Sequence, residues 1–321
     1  MQPAFVRLVI SAFRRGARAV YSVIFPFTLA LAGVTFALLI LGGIVHNTGS
    51  SLACPDWPLC NGTAFPRMVG AVLIEHGHRL TALLVVVGTL LVLVGLAESA
   101  HDRGAVKVAG LALALVMVQA ILGAITVKLR LPPAVSTGHL ATSMLYFSTV
   151  IYLAFRVRQS AAPPFSPQVR RWTLAASLAI YLQMVLGAAV RHLGAGLVCR
   201  EWVSCSGWLG GDITMQLHML HRLSALVVLV LVGYTSALVF RAAGGRSGVR
   251  ALAVTAPLLV VVQMSLGLLT IVTFRDFVPL TAHLAVAALL LANLVSLHLF
   301  ARGRLDLTAT ADEKLPLGVA A

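Results

Sequence analysis

The feature that most constrains this chain is the recurrence of apolar runs of roughly 20 residues, each long enough to cross the ~30 Å hydrocarbon core of a bilayer. Eight such spans are expected, at about 24–45, 79–98, 106–127, 138–157, 172–191, 219–240, 251–273 and 282–300. Backbone groups in lipid must bond within their own segment, so runs of this length indicate helices and not barrel strands. Hydrophobic residues make up 59% of the 321, charged residues 11%, and the mean hydropathy is +0.96. That leaves too little polar surface for a soluble domain of this length.

The formal net charge of +14 suggests nucleic acid only until the charges are placed. Arg7, Arg14, Arg15 and Arg18 precede the first span, and Arg103 and Lys107 follow the second. Arg156, Arg158, Arg170 and Arg171 bracket the 4–5 loop, Arg241, Arg246 and Arg250 the 6–7 loop, and Arg302, Arg304 and Lys314 follow the last span. These are 16 of the 24 Lys and Arg, all on one side. The excess of basic residues puts both termini in the cytoplasm of a multi-pass protein of the cell membrane, with no nucleic-acid partner. The basic N-terminal stretch lacks a small-residue cleavage site and is expected to be a cytoplasmic tail.

An internal repeat organises the rest. LGGIVHNTGSSLACPDWPLC (41–60) aligns without a gap on LGAAVRHLGAGLVCREWVSC (186–205), matching Gly49 with Gly194, Cys54 with Cys199, Trp57 with Trp202 and Cys60 with Cys205. EHGHRL (75–80) aligns on HMLHRL (218–223), VQAILGAIT (118–126) on VQMSLGLLT (262–270), and His139 on His283. Each half has an even number of helices, so the halves share one orientation, related by a pseudo-two-fold along the membrane normal. The expected fold is all-α, with two tandem four-helix bundles. Its parts are a basic tail 1–23, a first bundle 24–158, a linker 159–171, a second bundle 172–301 and a C-terminal tail 302–321.

His78, His139, His221 and His283 are expected to begin helices 2, 4, 6 and 8, two in each half near the outer boundary. Histidine within a span is costly and faces the bundle interior, where it marks function. A pair of imidazoles from facing helices closes on a planar cofactor, and haem iron takes such axial nitrogens. Zinc is the competing metal, but it wants four ligands clustered in one place. His46, His101, His192 and His298 are read as interfacial. Arg79 and Arg222 follow their histidines and suit haem propionates, or are ordinary interfacial arginines. Glu75 lies one turn before His78 on the same face, where its counterpart is His218. This asymmetry points to chemistry in the first half and electron storage or relay in the second. His76 shares the turn but lies on a different face.

All four cysteines fall in the outer loops, where disulfides persist. Cys54 and Cys60 form one candidate pair, Cys199 and Cys205 the other; loop bracing is the preferred reading for the second, and a redox role is open for the first. Their spacing is not C-x-x-C.

TGSSLACPDWPLCNG, IEHGHRL, TGHL, LHMLHRL and TAHL together resemble the haem A synthases, in the subclass with paired outer-loop cysteines. The likeness runs over roughly residues 24–300. It implies oxidation of the C8 methyl of haem O to a formyl group by successive hydroxylation, giving haem A for cytochrome oxidase. It also implies haem b as cofactor on His221 and His283, substrate haem on His78 and His139, an essential Glu75, and assistance from Cys54 and Cys60. The partners it implies are membrane lipid, the farnesyltransferase that makes haem O, and oxidase assembly factors; a homo-oligomer is allowed. His76 departs from the family, which favours an aromatic or apolar residue there. A di-haem b-type electron-transfer protein, such as a quinol or ferric reductase, shares the bundles and histidine pairs but has no need of Glu75.

Overall fold

The computed structural model describes residues 4–99, 102–158, 162–201, 205 and 207–303. His101, Trp202, Arg304, Lys314 and the side chains of Arg7, Arg14, Arg15 and Arg18 lie outside the described part. Among the described residues eight α-helices follow one another: α1 (Ala4–Asn47), α2 (Gly70–Ser99), α3 (Arg103–Lys128), α4 (Pro133–Val157), α5 (Pro167–His192), α6 (Ile213–Ala242), α7 (Ser247–Val272) and α8 (Phe277–Ala301). No strand occurs among the described residues, and each helix carries a stretch long and apolar enough to span, in α1 the segment Ser22–Asn47. The protein is an all-helical, multi-pass membrane protein.

Helix starts are set by short polar side chains that satisfy orphan N–H groups. Asp102 accepts from the Gly104 and Ala105 amides at 2.8 and 3.1 Å ahead of α3, and Asp212 accepts from Met215 N at 3.0 Å ahead of α6. Asp102 also pairs with Arg156 at 2.7 Å, tying the start of α3 to the end of α4. Helices α1 and α5 run out at repeat-related Gly49 and Gly194, whose φ values of +68° and +72° belong to the left-handed region that only glycine adopts freely.

Four helix starts differ from the sequence expectation. α2, α4, α6 and α8 begin five to nine residues earlier than the apolar runs do, at Gly70, Pro133, Ile213 and Phe277. The extra turns carry Glu75, His76, Thr137 and His218, which are polar but find partners inside the protein, so the helix extends past the lipid-like composition. His78, His139, His221 and His283 therefore sit within their helices, one and a half to two turns from the first residue, and do not begin them. α1 likewise runs back to Ala4, through the stretch expected as a tail.

Helix contacts close into two rings, α1–α2–α3–α4 and α5–α6–α7–α8. The halves meet through α4 with α5, α8 with α1, and α4 with α8, a set that maps onto itself when the halves are exchanged. Lipid tails are as apolar as leucine, so helices in a bilayer associate through close packing of small residues. Buried Ala105, Ala109, Ala112 and Val116 form such a stripe on α3, and Val249, Ala253, Ala256 and Val260 repeat it on α7. The opposite faces are apolar and exposed, as with Leu83, Leu84, Val87, Leu90, Leu91 and Val94 of α2.

Candidate functional site

Each of the four histidines is pressed against a glycine of the preceding helix. A Cβ added at Gly42 of α1 would stand 3.1 Å from His78 Cε1, and one at Gly123 of α3 3.3 Å from His139 Cε1. In the second half the corresponding distances are 2.8 Å for Gly187 and His221 and 3.1 Å for Gly267 and His283. Odd helices supply the glycine and even helices the histidine, four times over. Within each half the two imidazoles, His78 with His139 and His221 with His283, are close enough to act on one another electrostatically. The two pairs belong to separate rings, which does not suit a single four-ligand zinc site.

The surroundings of the pairs differ. His283 Nδ1 lies 3.1 Å from the Gln263 carbonyl, to which it donates, leaving Nε2 with its lone pair. His221 is held by Gln183 of α5, whose amide nitrogen lies 3.1 Å from Nδ1 and 2.8 Å from the His221 carbonyl. The Ser224 hydroxyl donates to the other end of that amide at 2.5 Å. In the first half Leu38 occupies the position aligned with Gln183, and the buried Nδ1 of His78 has no hydrogen-bond partner, while His139 is turned toward the Gln119 backbone as His283 is toward that of Gln263.

The cysteine loops cap these pairs. Cys54 is bonded to Cys60 and Cys199 to Cys205. Glu75, 3% exposed, accepts from the Cys54 amide through Oε2 at 2.8 Å and from Arg79 through Oε1 at 2.6 Å. Arg79 also donates to the carbonyls of Cys54, Asp56 and Leu59 at 2.6 to 2.8 Å. Arg222 repeats the clamp on Cys199 O and Glu201 O at 2.7 and 2.6 Å. The terminal nitrogens of both arginines are thus engaged with the loops. His218, standing where Glu75 stands in the other half, lies 2.8 Å through Nδ1 from Ala195 O.

At the tip of the first loop Asp56 accepts from Asn61 N at 2.6 Å and Gly62 N at 2.8 Å. The Gly62 hydrogen bond holds its carboxyl below the ordinary range. His76, buried on the face away from His78, has a ring nitrogen within 4.8 Å of the Cys54 and Cys60 sulfurs. Its counterpart Met219 lies 4.0 Å through sulfur from Cys199 Sγ.

Sequence reasoning missed the glycine cradles and Gln183. Both were visible in principle: Leu-Gly recurs at 41–42, 122–123, 186–187 and 266–267, and Gln183 is a polar residue in an apolar span. His46 and His192, read as interfacial, meet across the seam between the halves with ring centroids 5.3 Å apart. A cavity of about 420 Å³ lined by Phe25, Phe155, Arg158, Thr255 and Phe300 lies at the opposite ends of the helices and takes no part in the site.

The model of the cytochrome oxidase assembly protein family (COX15-CtaA) matches residues 26–71 and 68–295. The chain belongs to this family. It is 31% identical over 219 residues to a haem A synthase of Symbiobacterium thermophilum, covering 64% of this chain and 72% of that protein. A haem A synthase of Lysinibacillus sphaericus is 31% identical over 217 residues (63% and 71%), and one of Macrococcus caseolyticus 28% identical over 246 (72% and 81%). For a cytochrome oxidase assembly protein of this kind, the implied group is haem, and the residues fit it. Paired imidazoles cradled on glycine, with the His78 Nδ1 buried and unpartnered and the His283 tautomer fixed by the Gln263 carbonyl, are the donor set a planar iron porphyrin takes.

Proposed function

We propose that this chain is a haem A synthase, oxidising the C8 methyl of haem O to a formyl group by two successive hydroxylations, the second giving a hydrate that loses water. The observation that carries this reading is the pair of glycine-backed histidine pairs, one beside a buried carboxylate and one not. In the reading, His78 and His139 hold the substrate haem, and His221 and His283 hold haem b. Bound haem b supplies one-electron chemistry to the second half.

The chain's own residues then divide the work. Glu75, held between Arg79 and the Cys54 amide, is the buried carboxylate that moves protons or fixes the substrate as the methyl is oxidised. Arg79 and Arg222 keep the disulfide loops closed over the histidine pairs and exclude water from them. Cys54 and Cys60 hold the loop amide that Glu75 needs, and the second disulfide braces the matching loop. The excess of Lys and Arg at the other helix ends supports cytoplasmic termini, outward cysteine loops and residence in the cell membrane. Haem O would reach the first pair laterally from lipid. The farnesyltransferase that makes haem O and the oxidase assembly machinery are the proposed partners.

The test is mass spectrometry of haems extracted from the protein after co-expression with a haem O source, beside Glu75→Ala. Haem A or its hydroxylated precursor is expected in the wild type and absent from the variant. Two equivalents of unmodified haem b in both would favour the electron-transfer reading instead.

A further inference from the structure

Between the two histidine pairs, at the outer end of the seam, lies a polar cluster that the assigned roles do not use. Asn47 of α1 donates to Thr281 of α8 at 2.8 Å, and Thr137 of α4 meets His192 Nδ1 of α5 at 3.0 Å. These two contacts are counterparts under the repeat, since Asn47 aligns with His192 and Thr137 with Thr281. Thr281 and Thr137 each precede a site histidine by two residues, which sets the cluster at the level of both pairs.

Arg191 breaks the symmetry. It stands four residues beyond Gly187, one turn outward on the face of α5 that touches His221. Its Nη2 donates to Asn47 Oδ1 across the seam, while its Nη1 is buried without a hydrogen-bond partner. The charged neighbour acting on it is another cation, Arg275. The ion pairs among the described residues, Arg79–Glu75 and Arg156–Asp102, leave it without an acid. A half-buried guanidinium in this setting is costly until a carboxylate arrives, and its planar fork is shaped for one. Arg222, the arginine that follows His221, is already engaged with Cys199 O and Glu201 O. In the first half the aligned residue is His46, whose ring is stacked edge-on against His192.

We infer that Arg191 seats a carboxylate of the porphyrin held by His221 and His283. Its replacement by His46 leaves the first half without such a seat, so one porphyrin is retained while the other is free to leave. This rests on the reading of the second half as a haem site. The ligand chemistry is a carboxylate on a planar porphyrin; the phosphate of an anionic lipid is the other anion within reach of a membrane seam.

The experiment is reconstitution of the haem-stripped full chain in neutral detergent, followed by Soret absorbance, with ferric protoporphyrin IX and with its dimethyl ester. The wild type is expected to bind the free acid roughly tenfold or more tighter than the ester, the size of one charge-assisted hydrogen bond. Arg191→Gln should bring the acid down to the affinity of the ester, Arg191→Lys should keep part of the preference, and Asn47→Ala, which removes the seam contact but not the charge, should keep most of it. An unchanged acid preference in Arg191→Gln would overturn the inference. So would loss of the wild-type preference on adding phosphatidylglycerol micelles, which would give the seat to a lipid phosphate. If His221→Ala bound both porphyrins as well as the wild type, the haem reading of this half would itself be wrong, and the inference would go with it.

Discussion

The two halves share helix order, glycine-backed histidines and clamped disulfide loops, but part at four aligned positions around those features. Where the second half has Gln183 and Ser224 orienting His221, the first has Leu38 and an unpartnered His78 Nδ1. Where the second has Arg191 at the seam, the first has His46. Where the first buries Glu75 against Arg79, the second has His218 on a loop carbonyl. Beneath the disulfides His76 stands opposite Met219. In the proposed reading one scaffold holds two porphyrins, and the residues around it decide which is fixed and which is processed. The second half surrounds His221 with the Gln183 and Ser224 contacts, and the first leaves the His78 Nδ1 unpaired and keeps a carboxylate close by.

The comparison can be broken most forcefully at the cradles. Gly187→Ala would bring a Cβ to 2.8 Å from His221 Cε1, closer than such contacts tolerate, whereas Gly123→Ala would bring one to 3.3 Å from His139. Because α5 and α6 pack along their length, the ring must yield, and haem b binding is expected to be lost in Gly187→Ala. Gly123→Ala should retain haem b and only weaken substrate turnover. Haem-to-protein ratios after gel filtration check both; equal loss in the two variants would show that the cradles serve folding alone.

A smaller effect is expected from making the halves alike. Gln183→Leu gives His221 the surroundings of His78. Removing a partner that orients a ligating histidine costs roughly 10- to 100-fold in affinity, so haem b should dissociate faster from the variant by a factor in that range. The converse, Leu38→Gln, should slow release of product from the first half. Stopped-flow transfer to apomyoglobin measures the first, and product partitioning between protein and lipid the second.

Much of this was legible in the chain itself. The spans, the repeat, the four histidines and Glu75 stand out because charge and imidazole are rare in apolar helices and because the same types recur at one offset. Helix starts were placed late because the turns carrying Glu75 and His218 look too polar for lipid, and the partners that make them acceptable, the Cys54 amide and the Ala195 carbonyl, belong to loops 21 and 23 residues away. The use of Arg79 and Arg222 as clamps on carbonyls was hidden for the same reason: side chain to backbone contacts leave no trace in residue types. The seam between Asn47, Arg191 and Thr281 joins residues up to 234 apart, which no local pattern announces.

The smallest expected effect concerns the first loop. Asp56 has its carboxyl lowered chiefly by the Gly62 amide, so its contribution to loop order is present above the unfolded carboxylate range and is lost as pH falls through the lowered value. At neutral pH, Asp56→Ala should raise the rate of Cys54–Cys60 reduction by a water-soluble phosphine by about threefold. The Cys199–Cys205 rate should be unchanged in the same sample, which makes the second half the internal control.

The division of labour between the halves is tested most directly by measuring bound haem and haem A formation in His78→Ala and His221→Ala, each purified from cells with a haem O source. The account predicts that His78→Ala keeps haem b and forms no haem A, while His221→Ala loses haem b. Loss of haem b from His78→Ala with retention in His221→Ala, or identical haem content in both, would contradict it.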